Sequence, residues 1–201
     1  MSDRLKIIDD FLPKDQFQQI ADVVLSEKFP WFYSQHVSLA PEDNVIKDSL
    51  AVETDGFNHV VYDKPYNVTS FTYDLFLPFF KKLASLNFTE QHLIRARCSM
   101  KQPRINYTED NYNLPHVDYY RPHETLIYYF NDCDGDTRIF DQTFVPVPGS
   151  IGIGYDKFTT RTRVSPKANR LVWINGLQYH TASNPIKSSR RVILNINLEP
   201  L

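Results

Sequence analysis

After about Leu93 the chain breaks into short runs rich in β-branched and aromatic residues: "HLIRARCSM", "TLIYYFN", "TRIF", "GSIGIGY", "RLVWI" and "RRVILNINL". Turn-forming residues separate them, notably Asp134-Gly135 and Pro148-Gly149. Runs this short cannot be long helices, and their regular punctuation predicts strands of an antiparallel sandwich or jelly roll. The earlier part reads differently. From Pro13 to Lys28, Phe17, Ile20, Ala21, Val24 and Leu25 recur at helical spacing, and Phe71, Leu75, Phe79 and Leu83 repeat it between about Val68 and Leu86. The second helix should be bent or interrupted near Pro78. Residues 30–66 keep no period and predict loops and short strands. The fold class expected is α+β, a double-stranded β-helix (jelly roll) with N-terminal helices packed on one sheet. A chain of 201 residues suits a single domain. Residues 1–92 would be helical and loop support, and residues 93–201 a jelly-roll core carrying the active site.

Composition narrows the function classes. A net charge of -2 gives no global footprint for nucleic acid or an anionic membrane. No apolar run approaches the length of a membrane span or a signal peptide, so a cytoplasmic protein is expected. Cys98 and Cys133 stand alone and should be free thiols. Three Asn-x-Thr triplets, at Asn67, Asn87 and Asn106, read as chance in such a chain. A monomer or weak dimer is expected. The basic run Lys157, Arg161, Arg163, Lys167 and Arg170 could serve nucleic acid, but a solvated strand face explains it more simply.

The chemistry concentrates in two places. In "NLPHVDYY", His116 and Asp118 stand two residues apart, so on an extended strand they share one face and can reach one ion. Further on, His180 follows "RLVWI", and about ten residues later Arg190 and Arg191 open the last strand. The intervening "SNPIKSS" is turn-forming and should bring His180 and the arginine onto adjoining strands. Two histidines and a carboxylate on one face of iron(II) leave positions open for oxygen chemistry. A buried arginine nearby can grip a carboxylate through two charge-assisted hydrogen bonds. Taken singly, each of these residues is explained as a surface pair or a satisfied core histidine; the ordered set is what points to a metal. "NDCDGD", Asn131 to Asp136, lacks EF-hand spacing and reads as a tight hairpin turn. His36, His59, His92 and His123 fit no ligand pattern.

The order His-x-Asp, "LIYYFN", "DGDTRIF", "RLVWI", His and "RRVILNINL" resembles the 2-oxoglutarate and iron(II) dependent oxygenases, specifically the prolyl 4-hydroxylase-like group. The likeness runs from about Arg95 to the C-terminus, with an echo in "IIDDFLPKDQFQQI". It implies that His116, Asp118 and His180 hold iron and that Tyr129 offers its hydroxyl to the 2-oxoglutarate C5 carboxylate, paired with the C-terminal arginine. Family members often carry Gly-Gly where this chain has Asp134-Gly135-Asp136. The implied cofactors are Fe(II), 2-oxoglutarate and O2, with ascorbate as a supporting reductant. The implied reaction is hydroxylation coupled to decarboxylation of 2-oxoglutarate to succinate and CO2. A peptidyl proline in a protein or peptide is the first substrate; nucleic-acid or small-molecule oxidation and a non-catalytic binding domain are the alternatives.

Strand alternation bears on the arginine. Arg190 shares a face with Val192, Leu194 and Ile196, whereas Arg191 shares one with Ile193, Asn195 and Asn197, the set polar enough to line a wet site. Arg191 is therefore expected in the pocket, Arg190 is the alternative, and Asn195 is a further cosubstrate contact. Tyr120 and Trp173 are candidate substrate contacts, although Trp173 also suits a core.

Overall fold

The computed structural model describes residues 4–36, 48–146 and 157–201. Its strands and helices in chain order are β1 (Leu5–Ile8), α1 (Lys14–Val24), β2 (Phe32–Ser34), β3 (Ala51–Val52), β4 (Gly56–Asp63), β5 (Val68–Thr69), α2 (Leu77–Lys82), β6 (Leu93–Lys101), β7 (Tyr112–Asn113), β8 (Glu124–Tyr129), β9 (Thr137–Thr143), β10 (Thr160–Val164), β11 (Leu171–Asn175), β12 (Gln178–Ala182) and β13 (Arg191–Leu198). A major sheet of eight strands runs β1-β11-β8-β13-β6-β4-β2, with β5 beside β4, and a minor sheet runs β10-β9-β12. Pairing within both sheets is antiparallel. The run "GSIGIGY" and the Pro148-Gly149 turn lie outside the described residues.

Period-two patterning sorts the major sheet's side chains. Val192, Leu194, Ile196 and Leu198 of β13, Leu126 and Tyr128 of β8, and Leu171 and Trp173 of β11 join α1 and α2 in one core. The opposite face supplies Ile127, Val172, Ile174 and Ile193 to a second cluster against Ile139 of the minor sheet. Burying both faces explains why the central strands read as nearly continuous apolar runs.

The helices match the expected faces with one change. Ile20, Ala21 and Val24 of α1 are buried as the spacing predicts. The second segment is three short pieces, 3-10 turns at Tyr73–Phe76 and Leu83–Leu86 flanking α2. Pro78 sits in the first turn of α2, where its missing N–H has no intrahelical partner to lose, so it starts the helix rather than bending it. Val68–Thr69 is a strand, and Phe71 is 85% exposed instead of lying on the helical stripe. The 30–66 region likewise holds an eight-residue strand, β4, which extends the major sheet.

Asn131 to Asp136 is not a hairpin turn, because β8 and β9 belong to different sheets. It is the corner between them. Asp134 accepts backbone hydrogen bonds from Ile186, Lys187 and Ser188 at 3.1, 2.7 and 3.0 Å, tying this corner to the turn before β13.

The core makes a checkable distinction within one apolar stripe. Phe79 is fully buried, with its ring centroid 5.3 Å from Phe11 and 4.8 Å from Tyr128. Phe79→Ala should cost about 3–5 kcal/mol in urea unfolding, whereas Phe71→Ala should change stability by less than about 0.5 kcal/mol. Equal losses would put Phe71 back on the helical stripe.

Candidate metal centre and adjoining cavity

His116 and His180 are brought together by backbone pairing. His116 follows β7 through Leu114-Pro115 and forms an isolated antiparallel bridge with His180 of β12, with N–H···O distances of 3.0 and 3.1 Å. Each ring is then oriented by its own Nδ1. His116 Nδ1 lies 3.0 Å from the Leu114 carbonyl and His180 Nδ1 lies 2.9 Å from the Gln178 carbonyl. A carbonyl can only accept, so both Nδ1 atoms carry the proton and both Nε2 lone pairs are free for an electrophile.

Asp118 completes the group. Ligand atoms of His116, Asp118 and His180 lie within 4.8 Å of one another. The Asp118 side chain is 2% exposed and its oxygens are already oriented. Oδ1 accepts from Arg95 at 2.8 Å, and Oδ2 accepts from Asn197 at 2.9 Å and Thr125 at 3.3 Å. Burial pushes the Asp118 pKa upward, but His180 and Arg95 outweigh it and hold the carboxyl well below the usual range. Burial, with His180 beside it, lowers His116 to about 4. The set is therefore a carboxylate and a neutral imidazole at neutral pH. His180 Nε2 is buried with no hydrogen-bond partner, 3.6 Å from Asp118 Oδ2. A buried Nε2 facing a carboxylate is costly unless a proton or a metal ion lies between them, and two imidazoles with one carboxylate are a donor set that fits a divalent metal of the non-haem iron type.

A cavity of about 490 Å³, counting its open mouth, adjoins this group. His116 and His180 are in its wall, together with Arg191, Thr137, Ile193 and Asn195. Arg191 is 2% exposed; its Nε donates to the Gly135 carbonyl at 2.9 Å and its Nη2 to Thr137 Oγ1 at 2.8 Å. The Tyr129 hydroxyl meets the same Thr137 oxygen at 2.6 Å. Arg190 points the other way and donates to the Leu25 carbonyl at the end of α1. His180 and Arg191 sit on facing sheets rather than adjoining strands, a correction that places them across the cavity from each other. Gly135 is required by this packing: a Cβ there would lie 2.6 Å from the Ser183 carbonyl and 3.2 Å from Arg191 Cδ.

Two candidate substrate contacts lie elsewhere. Trp173 is 3% exposed in the helix-side core, donating to Glu124 at 2.7 Å and packing on Phe88, because its strand position faces the helices. Tyr120 is 44% exposed and leans on Phe144, outside the cavity wall. Asn197 lies on the site-facing side of β13, as strand alternation predicts, whereas Thr137, Arg95, Arg97 and Lys101 carried no expectation. Alternating polar residues inside the otherwise apolar β6, Arg95-x-Arg97-x-Ser99-x-Lys101, were the available signal.

Four of the five cations of the basic run are paired locally, with three carboxylates. Arg161 pairs with Asp141, Arg163 with Asp136, and both Lys167 and Arg170 with Asp9, at 2.6 to 3.0 Å. Cys98 and Cys133 are free. Among the described residues, no helix is long and apolar enough to cross a membrane.

The sequence matches no protein-family model and no curated protein. Solved structures do resemble it. The alpha-ketoglutarate-dependent epimerase SnoN of nogalamycin biosynthesis aligns with a TM-score of 0.62 at 12% identity, over 98% of this chain and 79% of its own. A prolyl hydroxylase from Trichoplax adhaerens, in complex with a hypoxia inducible factor peptide, aligns at 0.60 with 13% identity, over 98% and 84%. A Pseudomonas putida prolyl-4-hydroxylase aligns at 0.55 with 12% identity, over 99% and 94%. The chain has the double-stranded β-helix fold of the 2-oxoglutarate and iron(II) dependent oxygenases.

Proposed function

We propose that the protein is a 2-oxoglutarate- and iron(II)-dependent dioxygenase. One observation carries the reading: His116, Asp118 and His180 converge with an unpartnered Nε2, while Arg191 lies buried on the facing sheet with no carboxylate partner among the described residues. Iron held by the three side chains would supply oxygen activation coupled to decarboxylation of 2-oxoglutarate to succinate and CO2, with ascorbate as a supporting reductant. The chain's own part is positioning. Arg191 offers a guanidinium fork to the C5 carboxylate, and Tyr129 and Thr137 add hydroxyls beside it. Asn195, in the cavity wall between Arg191 and Asp118, is a further contact for the cosubstrate. Arg95 and Asn197 fix the Asp118 oxygens, and the apolar walls at Ile127 and Ile193 keep bulk water from the reacting centre.

A prolyl residue in a peptide or protein is the first substrate to test, supported by the "HVD" and "IYYFN" motifs and by the likeness to two prolyl hydroxylases. Pairing of Arg161, Arg163, Lys167 and Arg170 with Asp9, Asp136 and Asp141 weakens the support for the nucleic-acid alternative. The free cysteines suit a reducing compartment, in keeping with a cytoplasmic protein.

Two sets of variants test the assignment. His116→Ala, Asp118→Ala and His180→Ala should each abolish succinate formation and weaken Mn(II) binding, measured by calorimetry; full turnover in any one removes that residue from the site. Arg191→Ala should raise the KM for 2-oxoglutarate roughly a hundredfold or more, since breaking a buried charge pair costs about 3–5 kcal/mol. Arg191→Lys should recover only part, because an ammonium lacks the planar fork. Arg190→Ala should leave that KM nearly unchanged. The reverse ranking would assign the cosubstrate to Arg190. Mass spectrometry of proline-containing peptides after incubation with Fe(II), 2-oxoglutarate and ascorbate tests the substrate, through a gain of one oxygen.

A further inference from the structure

Two cations in the cavity wall have no role in that reading. Arg97 and Lys101 stand on the same face of β6 as Arg95, but Arg95 is committed to Asp118 and they are not. Arg97 makes no hydrogen bond or ion pair with any described residue, and its Nε is buried without a partner. Lys101 is 3% exposed. Its ammonium donates to Thr54 Oγ1 at 2.5 Å and to the Asp55 carbonyl at 3.4 Å, with no carboxylate in reach. The Asp55 carboxylate is taken by Arg104 at 2.9 Å and Tyr33 at 3.2 Å. Burial, with Arg191 and Arg97 nearby, brings Lys101 down to about 7. Asp118 and Asp63 lie within the field of Arg97, and Asp55 within that of Lys101, but no carboxylate among the described residues hydrogen-bonds either cation. A buried charge without a direct partner is destabilising unless one arrives.

The position of Arg97 says which partner. In the sheet register Arg97 is opposite Asn195, one pair along from Arg95 and Asn197 at the metal group, while Lys101 is opposite Arg191. Arg191 turns its donors toward Gly135 and Thr137, on the β8 and β9 side of β13. A dicarboxylate running from Arg191 to the metal would follow that side. Arg97 lies on the opposite flank, where β6 adjoins β4. Four residues of strand separate Arg97 from Lys101, about 13 Å, so the two do not share one grip at their backbones. The planar fork of Arg97 suits a carboxylate, and Lys101 adds positive potential deeper along the same wall.

We propose that Arg97 is the core of a second carboxylate subsite, on the β6 flank of the cavity, which holds an acid group of the substrate near the metal. This rests on the oxygenase reading and deepens it: the substrate carries a free carboxylate close to the oxidised carbon, as in a chain-terminal residue or an acidic side chain beside it.

The full-length protein, loaded with Mn(II) and saturated with 2-oxoglutarate, tests this with a matched pair of probes, N-acetylglycine and N-acetylglycinamide. Paramagnetic relaxation of the acetyl methyl protons reports residence near the metal. The acid should bind roughly tenfold more tightly than the amide, as a charge-assisted pair implies, and Arg97→Gln should erase the difference. Arg97→Lys should keep part of it. Equal relaxation by both probes in the unaltered protein would overturn the subsite. So would a tenfold or greater loss of 2-oxoglutarate affinity in Arg97→Gln, because the anion would then be the cosubstrate's own. A thermal melt of the ligand-free protein adds an independent reading: Arg97→Gln should melt higher, since it removes an unpaired charge, and a lower melt would make Arg97 structural instead. The same probes are followed on metal-free protein by saturation transfer. Failure to load Mn(II) and 2-oxoglutarate therefore counts against the oxygenase reading alone, and loss of acid preference counts against the subsite alone.

Discussion

The buried carboxylate of Asp118 sets the terms for everything around it. A 2% exposed anion survives between two sheets only because Arg95, Asn197 and Thr125 reach it from β6, β13 and β8. Each of those residues sits on a different strand of the major sheet, so the three registers must agree before the carboxylate is satisfied. Breaking such a pair by removing one partner typically costs about 3–5 kcal/mol. A structure built to hold this charge is thereby also built to fix its direction, toward His180 Nε2. Stability of the sheet and orientation of the Asp118 carboxylate are here one requirement.

The rest of the cavity runs against stability. Arg191 finds only neutral acceptors, Lys101 a threonine and a carbonyl, and Arg97 no hydrogen-bond acceptor among the described residues. The apolar core behind the sheet offsets this cost. Phe76, Phe79, Phe80 and Phe88, all fully buried, pack the helices against Tyr128, Phe130 and Trp173 on the other face of the same strands. Those strands carry a dry face and a charged face back to back. The charge excess on the inner face points to anionic ligands, and its distribution over both flanks of β13 points to more than one.

Much of this was legible before any coordinates. Runs of β-branched residues become strands because they are buried on both faces, and period two alone separates Arg190 from Arg191. The convergence of His116, Asp118 and His180 was legible because they are local or strand-ordered features. What stayed hidden depends on pairing between distant segments. Arg95 has meaning only opposite Asp118, and Thr137 only beneath Arg191. The polar strands β10 and β12 carried little apolar signal, the Thr-Arg-Thr-Arg run of β10 being that of an exposed edge, and Asn131 to Asp136 looked like a hairpin because a corner between sheets uses the same turn residues. Trp173 fits both core and platform by type; only its strand face decides, and Trp173 shares that face with Leu171.

Register ties these observations together. Shifting β13 by one residue would exchange its two faces, sending Arg190, Val192 and Leu194 into the cavity and Arg191, Asn195 and Asn197 into the aromatic core. The penalty on both sides makes that slip prohibitive, so the polar cavity itself helps define the fold. The Asp134 carboxylate reinforces the choice from outside, clamping the turn just before β13 with three backbone hydrogen bonds. The charged corner at Asp134 thereby anchors the strand bearing Arg191. Gly135 follows Asp134, a position at which a side chain would collide with the Ser183 carbonyl and crowd the arginine. The charged corner thus clamps the turn while Gly135 preserves the space that the Arg191 side chain occupies.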